Sequence, residues 1–457
     1  MTDNTIDCVI IGGGPSGLSA AYRLHEAGVN VRVLEMDQQV GGRMQGGRWQ
    51  DNLWYDQGAQ FICDVNSPFG TITHDLGKPT YPFLFADAPT VVFDGSEVRI
   101  KDTIEDYQQL GELYGWPQEA IDDYSALRAR FAEMCAVLDG DDKEASARLH
   151  AELDGQAFPD VIGDVHPEAR AAVEGVVHQE CSHDPKLVSA VQGVATAHYA
   201  DTIDFNYAQF GTNSIWTEIA VRLGDAITLN AEVTRVSDTD DGVEVDYRVN
   251  GTDQTVSAKY AVVATRADQV AGIVDRLPEE KKVGLEKCTY GSFVSVVFLT
   301  NEITEQRWDK WAAISNFAGD AFELLVHQSF IPRKSETARG KGSVFFALCY
   351  EREAERLIGM TEDEISAEIS AAFYRILPEV EDHVEKILVR KWTHGIPAMT
   401  VGGHGRCAAL RAPFGRIHFC GDYLALGIPE EGPGVETAEA AAAAIVASLA
   451  KSDREHS

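Results

Sequence analysis

A strand, a glycine turn, a helix, a second strand and an acid all fall within the first 35 residues, and no other stretch restricts the fold as tightly. Cys8-Val9-Ile10-Ile11 is an uninterrupted apolar run, the pattern of a parallel strand covered on both faces. Gly12-Gly13-Gly14-Pro15-Ser16-Gly17 places G-x-G-x-x-G at its carboxyl end. Leu18 to Ala27 is helical in pattern, and Val31 to Leu34 reads as the next strand. Gly12 turns the chain tightly, Gly14 lets backbone approach a pyrophosphate, and Gly17 lets helix and strand pack closely. The helix N-terminus, entered through Pro15 and Ser16, turns its partial positive charge to the phosphates. Glu35, with Met36 beside it, lies about 20 residues on and suits the 2′-hydroxyl of an adenosine ribose. The spacing predicts a dinucleotide site.

A nicotinamide dehydrogenase would continue with another helix and parallel strand, and this chain does not. It runs through Val40-Gly41-Gly42-Arg43, an aromatic stretch from Trp49 to Trp54, and Asp56-Gln57-Gly58-Ala59-Gln60-Phe61. A Gly-Gly-Arg turn can bring a guanidinium onto a diphosphate. Gly58-Ala59 lets backbone lie against a flat ring system.

In this order after a dinucleotide turn, these segments resemble the FAD-binding start of the flavin amine oxidase, protoporphyrinogen oxidase and phytoene desaturase superfamily. Residues 211 to 270 resemble its second cofactor block, which implies that backbone near Val233 meets the adenine and that Ala264 lies in the cofactor site. Ile417-His418-Phe419-Cys420-Gly421-Asp422 is similar to the strand that delivers Gly421 and Asp422 to the ribityl and phosphate region. Pro433-Gly434-Val435 opens a long alanine-rich helix, and the resemblance implies that Gly434 and Val435 face the flavin pyrimidine. Lys391-Trp392-Thr393-His394-Gly395-Ile396-Pro397 and Gly402-Gly403-His404 resemble a pattern of the protoporphyrinogen-oxidase-like branch. Departures from amine oxidases point the same way: Ser295 stands where many of those enzymes carry a lysine, and Glu430 and Gly405 stand where two aromatic residues enclose an amine. His404 follows two glycines where covalent-flavin members have a cysteine; noncovalent FAD is the reading taken here.

The expected architecture is α/β, a Rossmann-type FAD-binding domain with a discontinuous mixed-sheet and helical substrate domain. Residues 1–70, 205–270 and 395–457 must converge on one cofactor, so 71–204 and 271–394 return to form the substrate domain. The 457 residues and 44% hydrophobic content suffice for two cores. Ile104 to Tyr199 is largely helical in pattern, interrupted at Asp139 to Asp142 and by Pro159, Pro167 and Pro185. Ser292 to Thr300 and Ser343 to Tyr350 read as strands, and Thr361 to Leu377 as an amphipathic helix.

A net charge of −33 opposes binding to nucleic acid or an anionic membrane surface and favours solubility. No apolar stretch is long enough to span a bilayer, and the polar, acidic start suggests cytoplasmic residence. The eight cysteines are scattered without C-x-x-C, so no metal site is expected. Oligomeric state is left open.

With no second glycine fingerprint to seat NAD(P)H, electrons should come from a small organic substrate as a hydride to flavin N5 and leave to oxygen or a quinone. The alternatives are an amine oxidase, a flavin-dependent isomerase, and a binding or assembly protein. Trp392 is a candidate wall for the isoalloxazine or an aromatic core residue; His394 and His404 are proton donors or structural hydrogen bonders; Glu430 is a base, a cation binder or a solvated loop acid. Tyr199, Tyr207, Phe210 and Trp216 either line the substrate cavity or pack the interdomain core, and packing is the reading taken.

Overall fold

The computed structural model describes residues 6–50, 53–83, 88–200, 205–319, 321–333, 342–424 and 431–455. Strand β1 (Ile6–Ile11) leads directly into helix α1 (Pro15–Glu26) and then β2 (Val31–Leu34). Proline in the first turn of α1 suits the helix start, where its missing N–H is no loss. β1 pairs parallel with β2, with Ile11 opposite Leu34, and parallel with the Thr252–Val263 strand on its other side. That strand also belongs to an antiparallel meander with Ala231–Asp238 and Val243–Val249, and Ile417–Phe419 joins it in parallel. Among the described residues this sheet has seven strands. Strand segments from three distant parts of the sequence meet in it because each carries an apolar run that only a doubly covered sheet can bury.

The helix Glu431–Glu455 packs against α1 on one face of this sheet, where Ala438, Ala442 and Ile445 meet Leu18, Ala21 and Tyr22 in a common core. Alanines there let the two helices approach closely.

A second seven-stranded sheet, counted among the described residues, is ordered Val384–Met399, Cys288–Thr300, Val344–Tyr350, Leu324–His327, Ala313–Asn316, Thr90–Phe93 and Val98–Lys101. It is mostly antiparallel, with one parallel pairing between Ala313–Asn316 and Thr90–Phe93. One face packs on the helix Glu362–Ile376 through Ile365, Ile369 and Phe373. Thr361 caps that helix, exchanging hydrogen bonds with Glu364 in a capping box. The opposite face carries Phe293, Val297, Phe346 and Trp392 into an aromatic cluster shared with Leu53, Phe83 and Tyr207. This cluster joins the second sheet to the hairpin β3 (Gly46–Trp49) and β4 (Leu53–Asp56).

Helices occupy most of 107–199, as the pattern predicts. The run breaks just ahead of Pro159 and Pro167, at 155–157 and 163–166, and each proline sits in the first turn of the helix that follows, Phe158–Ile162 and Pro167–Cys181. No helix among the described residues is long and apolar enough to cross a membrane.

Candidate active site

The glycine turn is built as its spacing requires. Gly12 has φ +105°, and a Cβ there would stand 2.9 Å from the carbonyl oxygen of Ala264, which in turn donates its N–H to Ile11. A Cβ on Gly17 would collide with the Gly12 carbonyl. Gly14 is different: the nearest atom to an added Cβ is the Cα of Gly42, at 3.8 Å. The two glycines therefore face each other across a slot walled by backbone alone, and the Gly41 N–H donates to Gly13 O at 2.9 Å to hold the walls together. Backbone walls without side chains, at the positive end of α1, form a cradle that fits a diphosphate.

Glu35 follows the end of β2 and is almost fully buried. Its Oε2 accepts from Gly13 N–H at 2.5 Å and its Oε1 from Asp37 N–H at 2.7 Å, which fixes the carboxylate beside the turn with lone pairs to spare. Burial raises its pKa, opposed by those backbone hydrogen bonds. Its own backbone ties the turn to the second cofactor-like block, donating to Thr228 O and accepting from Ala231 N–H. Val233 follows two residues along, at a register shift between Val233 and Arg235. Met36 is 56% exposed, an apolar surface left open next to the carboxylate.

Arg43 and Asp422, 379 positions apart, form an ion pair at 2.6 Å. A second Arg43 nitrogen donates to Gly395 O at 2.8 Å, and its guanidinium lies 5.6 Å from the Tyr290 ring centre. The Gly421 N–H donates to Thr437 Oγ1, which bonds Gly434 O, so the first turn of Glu431–Glu455 is pinned to the strand end. Gly434 also lies against Ser16: a Cβ there would be 2.8 Å from its Oγ. Val435 is buried beneath them in the α1 core. Arg43, Asp422, Gly421, Gly434 and Ser16 thus gather at one end of the cradle.

The segment after β4 links this cradle to the second sheet. Gln57 O accepts from both Trp392 Nε1 at 2.8 Å and Ser295 Oγ at 2.7 Å. Gly58 is hemmed in by Arg43 O and by the edge of Trp392, 3.3 Å from an added Cβ. Ala59 N–H returns to Arg43 O. Trp392 begins a row of parallel rings across three strands: its ring is 6.5 Å from Phe293, which is 6.3 Å from Tyr350. Gln60 Oε1 accepts from Tyr207 and from Gln328, whose side-chain amide also exchanges hydrogen bonds with the Asp56 backbone. The Asp56 carboxylate accepts from Thr212 N–H and Oγ1 at 3.1 Å each, at the start of the helix Asn213–Leu223. Burial pushes this carboxyl up to about 7.

A family model described as flavin containing amine oxidoreductase matches residues 15–446. The chain belongs to that family. An L-amino acid dehydrogenase of Synechocystis sp. is 24% identical over 98% of this chain and 96% of its own length. Flavin-containing amine oxidase A of Sus scrofa is also 24% identical, over 98% and 86%. Among solved structures, putrescine oxidase bound to putrescine shares the fold with a TM-score of 0.78 at 21% identity, covering 97% of this chain and 99% of that one. Cyclohexylamine oxidase from Brevibacterium oxydans does so with 0.77 at 19%, over 97% and 99%. The protein is an FAD-dependent oxidoreductase acting on an organic substrate. Within the superfamily, these relatives are named for amines and amino acids; they give no specific support to the protoporphyrinogen-oxidase-like leaning.

Of the remaining candidates in this flavin amine oxidoreductase, His394 is half-buried, bonded through Nδ1 to Thr393 Oγ1 and 3.8 Å from Asp268. Burial and nearby Arg266 lower its pKa. His404 is 2% exposed and packs edge-on against His150, with both ring nitrogens unpartnered among the described residues. Burial lowers it to about 4, so the imidazole is neutral at pH 7. Its backbone and that of Gly405 donate to Asp154. Glu430 lies outside the described residues. Tyr207 and Trp216 are fully buried, Trp216 stacked on Phe69, while Tyr199 bonds Asp139 at the surface. Phe210 packs edge-on against Trp54, with Arg48 4.1 Å above it. The sequence assigns no role of their own to Asp56, Gln57 and Arg390; the strand alternation of Arg390 with Trp392 is the available signal for the last.

Proposed function

We propose that this protein oxidises a small amine-type substrate and delivers the electrons to oxygen or a quinone. The observation that carries the reading is the ring row beginning at Trp392, an apolar wall set against Gly58 at the open end of a dinucleotide cradle. FAD bound in that cradle supplies a two-electron acceptor for a substrate C–H bond. The chain's task is then to bind, orient and desolvate. In this reading Glu35 holds the adenosine ribose, with Met36 and the backbone near Val233 against the adenine. Gly12 to Gly17, Gly42 and Arg43 receive the diphosphate, and Gly421 and Asp422 the ribityl chain. Gly58, Ala59, Gln60, Gly434 and Val435 edge the ring system, with Ala264 beneath the turn. Trp392 and Phe293 exclude water on the substrate side, and Gln60 and Tyr207 offer the wall a hydrogen-bonding patch.

Residues 1–70, 205–270 and 395–457 form the cofactor domain in this proposal, and 71–204 and 271–394 the substrate domain. Cytoplasmic residence belongs to the same reading, supported by eight scattered cysteines, seven of them buried.

Anaerobic mixing of the holoenzyme with a panel of primary amines tests the proposal. Bleaching of the flavin absorbance, reversed by oxygen or a quinone, is expected. A changed product with flavin left oxidised throughout would overturn it in favour of isomerisation.

A further inference from the structure

The second sheet holds an arginine with no acid paired to it among the described residues. On the Val384–Met399 strand Arg390 lies opposite Ser295 and Trp392 opposite Phe293, so all four point from the same face. That is the face whose Ser295 and Trp392 both reach the Gln57 carbonyl. The Arg390 guanidinium stacks 4.8 Å from the centre of the Trp392 ring. Its Nε is buried without a hydrogen-bond partner, and it makes no ion pair among the described residues. With 72 acidic side chains against 39 lysines and arginines, cations in this chain readily find carboxylates. Arg43 has Asp422, Arg235 has Glu244 and Asp246, and Arg356 has Glu353 and Glu368. Arg390 is kept apart from that excess.

Stacking on an indole holds a guanidinium flat while leaving its in-plane donors free, and those donors match the two oxygens of a carboxylate. A bare cation on an apolar wall costs free energy unless an anion joins it. The strand places this one a single step from Trp392, the residue that abuts Gly58. We infer that Arg390 is a specificity-determining residue that receives a carboxylate of the substrate, so that the protein takes an amino acid in preference to the corresponding bare amine. The inference rests on the proposed amine oxidation for its substrate and on the Arg390–Trp392 geometry for its selectivity.

Two measurements on the holoenzyme test it. In the first, benzoate is titrated while the flavin absorbance is followed, with benzyl alcohol as the uncharged control. Benzoate should give a saturable shift that the alcohol does not. Arg390→Met, which keeps a side chain over Trp392, should weaken benzoate by at least about tenfold, and Arg390→Lys by less, since it keeps charge but loses the fork. Flavin content and melting temperature equal to the parent identify folded variants, and the lysine variant serves if the methionine one fails this check. In the second, flavin bleaching is compared between L-leucine and 3-methylbutylamine and between L-phenylalanine and 2-phenylethylamine. The parent should favour the carboxylated member of each pair by at least about tenfold, and Arg390→Met should erase that ratio. Benzoate binding that is absent, or indifferent to residue 390, overturns the inference, as does a preference for the bare amines. In that last case amine oxidation stands and only the carboxylate role falls. Arg390-dependent benzoate binding with no bleaching by either member supports the anion site and sinks the amine reading instead.

Discussion

At the scale of single residues, the glycines of the turn divide into those that the protein hems in and one, Gly14, that it leaves open. Side chains on Gly12 or Gly17 strike protein backbone, whereas one on Gly14 meets only a Cα at ordinary contact distance. Gly14→Val is therefore expected to fold with the melting temperature of the flavin-free parent yet purify without FAD, because its methyls fill the slot in front of Gly42. Yellow protein with a full complement of flavin would remove the slot from the cofactor site. Gly12, Glu35 and Arg43 were legible in the sequence because each answers a local steric or charge requirement with a fixed offset from its neighbours. Gln57 was not, since its contribution is a backbone carbonyl that any residue type possesses. Asp56 was hidden for a related reason: its acceptors serve the helix Asn213–Leu223, more than 150 positions away, and nothing in either segment alone announces the pairing.

Among elements, the helix Asn213–Leu223 starts on a borrowed acceptor. Thr212 makes no side-chain cap bond of its own, and the buried Asp56 carboxylate takes the N–H instead. With Asp56 pushed from 3.8 to about 7, the folded chain keeps a proton that the unfolded chain has released. Stability then falls as pH rises from about 4 to about 7 and levels above that window. Asp56→Asn retains an acceptor and removes the slope, so its melting temperature relative to the parent should climb across the window. The gain at neutral pH is at most about 4 kcal/mol, less whatever the helix dipole returns to the ionised form. Thermal melts of both proteins at closely spaced pH values check this; parallel curves would deny the raised pKa. The short turn at His404–Arg406 bears on cofactor attachment. The His404 ring faces His150 on the helix Lys143–Asp154, so FAD should be held noncovalently and acid precipitation should leave it in the supernatant. Flavin retained on a peptide containing His404 would contradict this. His404 also tilts stability the opposite way from Asp56: lowered from 6.5 to about 4, it contributes stability above about 6.5 that is lost as pH falls through about 4. Element types are legible where periodicity is strong, as for β2 or Val243–Val249, and Pro159 and Pro167 mark breaks in the helical run because a proline opens a helix without being able to continue one.

For the whole molecule, the second sheet is tied to the hairpin β3–β4 and the segment after it, which leads back to the cradle, through the aromatic cluster around Phe83, Tyr207 and Trp392 and through the hydrogen bonds to Gln57. A ligand wedged beside that junction ties them further. Flavin bound at a thousand times its dissociation constant adds about 4 kcal/mol, so stripping it should lower the melting temperature by roughly 4 °C in a chain of 457 residues. Equal melting of the two forms would mean that the cofactor touches only one side. The Arg43–Asp422 pair has a consequence for biosynthesis. A ribosome delivers the glycine turn and Glu35 first, and the partner of Arg43 and the helix turn that pins Gly421 to Thr437 follow only 379 or more residues later. Through that interval the arginine is unmatched. Capture of FAD for that reason waits on the segment around Asp422, and a yellow chain is one in which that segment has already been made.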